Sequence, residues 1–202
     1  VGRREYLTST LALLNRPDFA ALDFSAMRFG FGGGMAVQKA VAEKWQKVTG
    51  KPLIEGYGMT EAIVVIAMRD PHDRVLRTTG HVIRGMEHRL AGEDGRPCRP
   101  GDIGRLQVRG PNIMRGYYKR PDANAAEFVN NEWFRTGDVA YIDDEGFVFI
   151  VDRIKDMVLR GGENVYCSEV EAAIYEHPGV AEVAVFGVPD DRLGEIVGAA
   201  IV

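Results

Sequence analysis

An α/β layer followed by a β-rich subdomain and then the start of a small α+β segment is the fold class the sequence predicts, and three observations predict it. Helix and strand signals alternate near the start. From about residue 76 to 151, short strand-like runs are separated by turn residues such as Glu93-Asp94-Gly95 and Asp143-Asp144-Glu145-Gly146. Past Arg153 the texture shifts again, to a hairpin, a helix and two β-branched runs.

Each element has its own signal. Tyr6 or Leu7, Leu11 and Leu14 recur at helical spacing until Asn15-Arg16-Pro17 breaks the pattern. Met27 to Phe31 reads as a short strand running into Gly32-Gly33-Gly34. Val37, Val41, Trp45 and Val48 then share one helical face, closed by Gly50 and Pro52. Leu53-Ile54 reads as a second short strand leading into Glu55-Gly56-Tyr57-Gly58-Met59-Thr60-Glu61. Further on, Met157 to Leu159 and Asn164 to Tyr166 flank Gly161-Gly162 as a hairpin, and Ser168 with Glu171 forms a capping-box pattern that opens a helix ended by His177-Pro178-Gly179. Val180 to Val188 and Glu195 to Val202 close the sequence as strands.

Composition bounds the function. The 202 residues are 46% hydrophobic, enough for a packed core, which excludes a disordered tail. Twenty-five basic and 29 acidic residues give a net charge of −4 with the signs interspersed, so no nucleic-acid footprint is expected. The apolar stretches Ala62 to Met68 and Ile196 to Val202 fall short of the roughly 18 to 20 residues a membrane span needs. Cys98 and Cys167 lie far apart with no CxxC pairing, so a reducing, cytoplasmic setting is expected. The serines Ser9, Ser25 and Ser168 stand outside any GxSxG elbow, and no GxxxxGK[ST] loop occurs. The clusters Gly30 to Gly34 and Gly56 to Gly58 fail the GxGxxG test at Met35 and Glu61, and His72, His81, His88 and His177 lack metal-ligand spacing.

Three clusters carry chemistry. In Gly56 to Glu61, glycine admits a ligand close to backbone, a tyrosine ring can cover a flat base, a threonine hydroxyl can reach a phosphate, and a glutamate can hold Mg²⁺; a glycine-rich turn around a packed tyrosine is the plainer alternative. In Trp133 to Asp138, one carboxylate at a strand entry can accept both hydroxyls of a ribose, or can serve as an ordinary turn or cap residue. Val151 to Asp156 with Gly161 to Asn164 offers fixed cations and a glycine loop, or else a solvated charged face.

Taken in order, Tyr57 to Glu61 (YGMTE), Gly116 to Ala123 (GYYKRPDA), Trp133 to Asp138 (WFRTGD), Val151 to Glu171 and His177 to Glu195 resemble the adenylate-forming superfamily of acyl-CoA synthetases, luciferases and peptide-synthetase adenylation domains, with fatty-acyl-CoA ligases nearest. The resemblance implies a two-step ligase using ATP, Mg²⁺ and CoA on a fatty acid or other carboxylic acid. It implies that residues 1–152 form the latter part of a large AMP-binding domain, and 153–202 the start of a mobile C-terminal one.

By motif match, Gly34, Met35, Gly56 and Tyr57 would line the adenine pocket, Thr60 would meet the α-phosphate, and Glu61 would ligate Mg²⁺. Asp138 would hold the ribose with help from Arg153; Lys155 would be the hinge; and Gly161 and Gly162 would line the pantetheine path. Ala36, Val82 and Arg105 depart from residues frequent in such relatives. The phosphate loop would lie before Val1 and the adenylation lysine after Val202, so the chain alone is not expected to adenylate. A carrier-protein ligase, a luciferase-like enzyme and a non-catalytic nucleotide-binding module are the alternatives. Peripheral membrane contact, homo-oligomerisation and contact with the rest of a parent chain are left open.

Overall fold

A computed structural model describes residue 10, residues 12–34, 37, 39–63, 65–71, 78–177 and 179–202. The expected helix near residues 6–14 falls mostly outside them, as do Met35, Ala36 and His72.

The glycine-rich strand β1 (Gly30–Gly33) pairs in parallel with β2 (Leu53–Tyr57), and the helix α1 (Lys39–Thr49) connects them. Val41 and Trp45 of α1 pack with Leu14, Phe19 and Leu53, which is why the apolar stripe forms a helix there. The strand lies later than Met27 to Phe31 and takes in the glycines. At Gly33 a Cβ would stand 2.9 Å from the Gly56 carbonyl oxygen, so only glycine permits this close pairing of the two backbones. β2 likewise runs beyond Ile54 to Tyr57, because Gly33↔Gly56 remains in register. Strands β3 (Ala67–Met68) and β4 (His81–Val82) complete this sheet in the order β1-β2-β3-β4.

The β-rich stretch is a five-stranded sheet of β5 (Glu87–Ala91), β6 (Gly104–Arg109), β7 (Phe128–Val129), β8 (Trp133–Ile142) and β9 (Val148–Arg153), ordered β5-β6-β8-β7 with β9 on β8. A short helix, α2 (Pro121–Glu127), starts with proline at its first position, where the missing N–H costs nothing.

The third sheet has the order β11-β10-β13-β12, from β10 (Val158–Arg160), β11 (Glu163–Val165), β12 (Val183–Asp190) and β13 (Gly194–Ile201). The helix α3 (Cys167–Ile174) covers it with Val170 and Ile174 against the buried cluster of Val158, Cys167 and Val185. The capping box does not form. Tyr166 is the N-cap and offers no side-chain bond, the Ser168 hydroxyl donates to the Val151 carbonyl, and Glu171 accepts from the Val185 N–H. Both side chains are drawn to neighbouring strands, where those bonds tie the helix to the sheet.

The chain gathers into two compact units, Val1–His88 with Val108–Phe134 and Ile142–Phe149, and Arg89–Gln107 with Arg135–Tyr141 and Ile150–Val202. No helix among the described residues is long and apolar enough to cross a membrane.

Candidate functional site

In the first unit the parallel strands β1 and β2 end together at glycines. Gly34 follows β1 with φ 84°, a left-handed conformation that suits glycine, and Gly56 lies beside Gly33. Tyr57, the last residue of β2, is half-buried, and its carbonyl accepts the Ile66 N–H at 2.7 Å. The next turn, Thr60–Ala62, is a 3-10 helix that the sequence did not announce. It holds an exposed Thr60 and a half-buried Glu61 side by side. Among the described residues, the one hydrogen bond to the Glu61 carboxylate comes from the Tyr117 hydroxyl, 3.0 Å from Oε1. Desolvation, and then the bond to Glu61, push the Tyr117 hydroxyl up to about 12, so it remains a donor.

Beneath this edge lies a buried carboxyl that the sequence reading passed over. Burial pushes Glu55 up to about 7, against the smaller opposing pulls of the Val37 N–H that donates to it and of the Arg69 charge. Arg69 is buried too, and its Nε meets no acceptor among the described residues.

Glu55 therefore has a pH signature. The folded state binds this proton more tightly than the unfolded one, so the stability contribution is complete below the ordinary value of 4.5 and is lost as pH rises toward about 7. At about 1.4 kcal/mol per unit of pH, Glu55→Gln, whose amide oxygen can still accept from Val37, is expected to gain about 2 kcal/mol on the parent between pH 5 and pH 8. Paired urea unfolding at the two pH values measures it. An unchanged difference would mean that Glu55 is not held protonated.

In the second unit Asp138 sits in the middle of β8 and not at its entry, and its side chain is only 6% exposed. Its N–H donates to the Thr136 hydroxyl, which donates in turn to the Leu106 carbonyl. Gly137, at φ 79°, breaks the strand's regular alternation, and its carbonyl accepts the Ile154 N–H. That bond draws the end of β9 alongside, and Arg153 Nε lies 3.4 Å from Asp138 Oδ1. A buried carboxylate beside an exposed guanidinium can accept hydroxyl donors while its charge stays balanced.

The following turn is anchored by Asp152, which accepts the N–H groups of Arg153 and Ser168. Lys155 is exposed in this turn and makes no side-chain hydrogen bond or ion pair among the described residues. Gly161 and Gly162, at φ 61° and 90°, form the exposed tip of the β10–β11 hairpin, with the Gly161 N–H on the Leu193 carbonyl.

The structure thus brings Gly34, Gly56, Tyr57, Thr60 and Glu61 to one strand edge and its following turn, and pairs Asp138 with Arg153. Met35 is outside the described residues. Sequence reasoning missed Tyr117, Thr136 and Asp152. All three stood inside quoted motifs with no role given to them.

No group of three or more His, Cys, Asp or Glu residues able to hold a metal occurs among the described residues. A lone, oriented Glu61 fits Mg²⁺, which takes one or two protein carboxylates and completes its shell with phosphates and water.

A family model described as "AMP-binding enzyme" matches residues 6–118, and one described as "AMP-binding enzyme C-terminal domain" matches residues 169–202. A long-chain-fatty-acid–CoA ligase of Escherichia coli O157:H7 is 46% identical over 193 residues, which are 95% of this chain and 34% of the relative. A feruloyl-CoA synthase of Amycolatopsis is 40% identical over 95% of the chain and 39% of its own length. The ATP-bound structure of MatB from Rhodopseudomonas palustris superposes with a TM-score of 0.87 at 36% identity, over 96% of this chain and 39% of that one. The chain spans about a third of the length of the curated relatives it matches. With matched segments lying on both the glycine-edged sheet and the α3 sheet, the chain belongs to the AMP-binding enzyme family.

Proposed function

We propose that the chain is part of an ATP-dependent acid–thiol ligase, acting on a fatty acid. In the first step a carboxylate oxygen bonds to the α-phosphorus of ATP and the bond to pyrophosphate breaks, leaving an acyl-adenylate. In the second, the CoA thiol loses its proton, sulfur bonds to the acyl carbon, and AMP leaves. The Asp138–Arg153 pair carries the reading, because a carboxylate beside a guanidinium can accept the two hydroxyls of a ribose while its charge stays balanced. The relatives, ligases for long-chain fatty acids and ferulate, support the substrate class.

The chain's own residues would bind and orient. Gly34, Gly56 and Tyr57 would admit the adenine, Thr60 would donate to the α-phosphate, and Asp138 with Arg153 would fix the sugar. Glu61 would hold Mg²⁺, whose charge offsets that of the phosphates when bound. None of this demands a covalent enzyme intermediate; positioning and charge neutralisation suffice. A long acyl substrate is also the reason to expect contact with a membrane surface.

The boundary between a large and a mobile domain would lie at Asp152/Arg153; the family models, which end at residue 118 and begin at residue 169, leave room for it. Lys155 would be the hinge and Gly161-Gly162 the lining of the thiol path. In the turn after β9 the N–H groups of Asp156 and Met157 donate to the Arg153 carbonyl, whereas Lys155 N–H makes no backbone bond among the described residues. Lys155→Pro therefore removes no bonded donor of its own, while its ring restricts Ile154 and with it the turn. It is expected to leave adenylate formation within about threefold and to slow thioester formation tenfold or more, as single-turnover assays of each half-reaction would measure. Equal loss in both would sink the hinge role.

The reading as a whole is tested by giving the full-length protein ATP, Mg²⁺, CoA and a panel of carboxylic acids and measuring AMP release. Release dependent on both acid and CoA is the expected result. No release with any acid would count against it.

A further inference from the structure

We infer that Tyr117 is a positioning residue for Glu61, holding one carboxylate oxygen so that the other is left for a divalent cation; this rests on the proposed role of Glu61. The Tyr117 hydroxyl is 3.0 Å from Glu61 Oε1 across a sequence separation of 56 residues. The tyrosine is itself fixed. Its N–H donates to Asn124 Oδ1 at 2.7 Å, and Asn124 Nδ2 donates back to its carbonyl at 3.0 Å. Gly116, at φ 141°, makes room for that clamp, since a Cβ there would lie 2.9 Å from Asn124 Oδ1.

The same loop also grips the backbone around Glu61. Met114 N–H donates to the Glu61 carbonyl at 2.8 Å, and Asn112 Nδ2 donates to the carbonyls of Ala62 and Val65 at 2.9 and 3.2 Å. Ile63 takes the left-handed conformation, φ 47°, that lets the chain leave the turn with those carbonyls presented. Three bonds from one loop thus converge on the three-residue turn and a fourth on Val65 just beyond it, and one of the three ends on the side chain that would meet the metal. A glutamate left to itself spreads over several rotamers. Held by Tyr117, it presents its second oxygen already ordered, as outer-shell partners do for metal ligands.

The test uses the full-length protein with Mn²⁺ as probe, titrated in the presence of α,β-methylene-ATP and followed by the electron paramagnetic resonance of free Mn²⁺. Tyr117→Phe, which removes one oxygen, is expected to weaken Mn²⁺ about tenfold while the thermal midpoint and metal-free nucleotide affinity hold. Asn124→Ala, which loosens the tyrosine but keeps its hydroxyl, is expected to move Mn²⁺ affinity the same way. Glu61→Gln is expected to weaken Mn²⁺ by at least as much, and adding Tyr117→Phe to it should change nothing more. Full additivity of the two, or an unchanged or tighter Mn²⁺ in Tyr117→Phe, overturns the positioning role and leaves the Glu61 assignment standing. Unchanged Mn²⁺ binding in Glu61→Gln overturns that assignment and this inference with it.

Discussion

Alanine at Gly80 is expected to destabilise the first unit by about 3 kcal/mol or more, the largest stability loss of any single methyl addition foreseen here. Gly80 has φ 87°, a conformation that costs an L-residue about 1 to 2 kcal/mol by itself. Space is the larger problem. A Cβ would stand 2.1 Å from the Met68 carbonyl oxygen and 2.3 Å from the Arg69 nitrogen, both backbone atoms. Neither side can give way cheaply. Met68 is paired with Gly56 and His81, while Gly80 is held by Val148 N–H on its carbonyl and by its own N–H on the fully buried Thr78 hydroxyl.

Gly85→Ala is the control, because φ there is 91° and nothing lies within 4 Å of the added methyl. It should cost only the conformational share, about 1 kcal/mol. Urea unfolding of the two variants separates strain from collision, and equal losses would mean that the strands do not approach as closely as described.

Gly80 also shows which part of the fold can be read from a sequence and which cannot. Helix α1 was legible because Val37, Val41, Trp45 and Val48 write its buried face at local spacing, and the β10–β11 hairpin because Gly161-Gly162 marks its turn. The glycines of β1 misled. A run of glycine reads as a turn until a partner strand supplies the reason for it, here the backbone of Gly56. Ser168 and Glu171 misled in the opposite sense, since their spacing satisfies a local rule while Val151 and Val185 offer better-placed partners from elsewhere in the chain.

The site divides the same way. Glu61 and Asp138 could be singled out as chemistry-bearing residues in glycine-flanked motifs. What orders them is non-local: Tyr117 on Glu61, and Thr136, Leu106 and Arg153 around Asp138. Glu55 was invisible for a related reason, because a carboxyl in a strand acquires a raised pKa only when the sheet and helix close over it.

Asp138→Asn in the full-length protein is expected to weaken ATP binding by about 10- to 100-fold, seen as a raised KM for ATP with a smaller change in kcat. The amide is nearly the same shape and keeps one acceptor, but it presents an NH₂ where the second hydroxyl must donate. A hydrogen bond to a charged group contributes about 1.5 to 3 kcal/mol, which sets the range. Loss of the Arg153 pair adds little, because the guanidinium is 44% exposed and solvent screens it. The fold should survive, since the Asp138 N–H on the Thr136 hydroxyl and the Gly137 carbonyl under Ile154 do not involve the carboxylate.

Substrate analogues then locate the effect. ATP lacking the 2′ or the 3′ hydroxyl should bind the parent protein about tenfold more weakly than ATP does, whereas in the Asp138→Asn protein the analogue that lacks the hydroxyl facing the new NH₂ should bind almost as well as ATP does, because the partner of that group has already gone. If the deoxy analogues lose as much affinity in the variant as in the parent, the carboxylate does not touch the ribose and acts only on the local structure of β8.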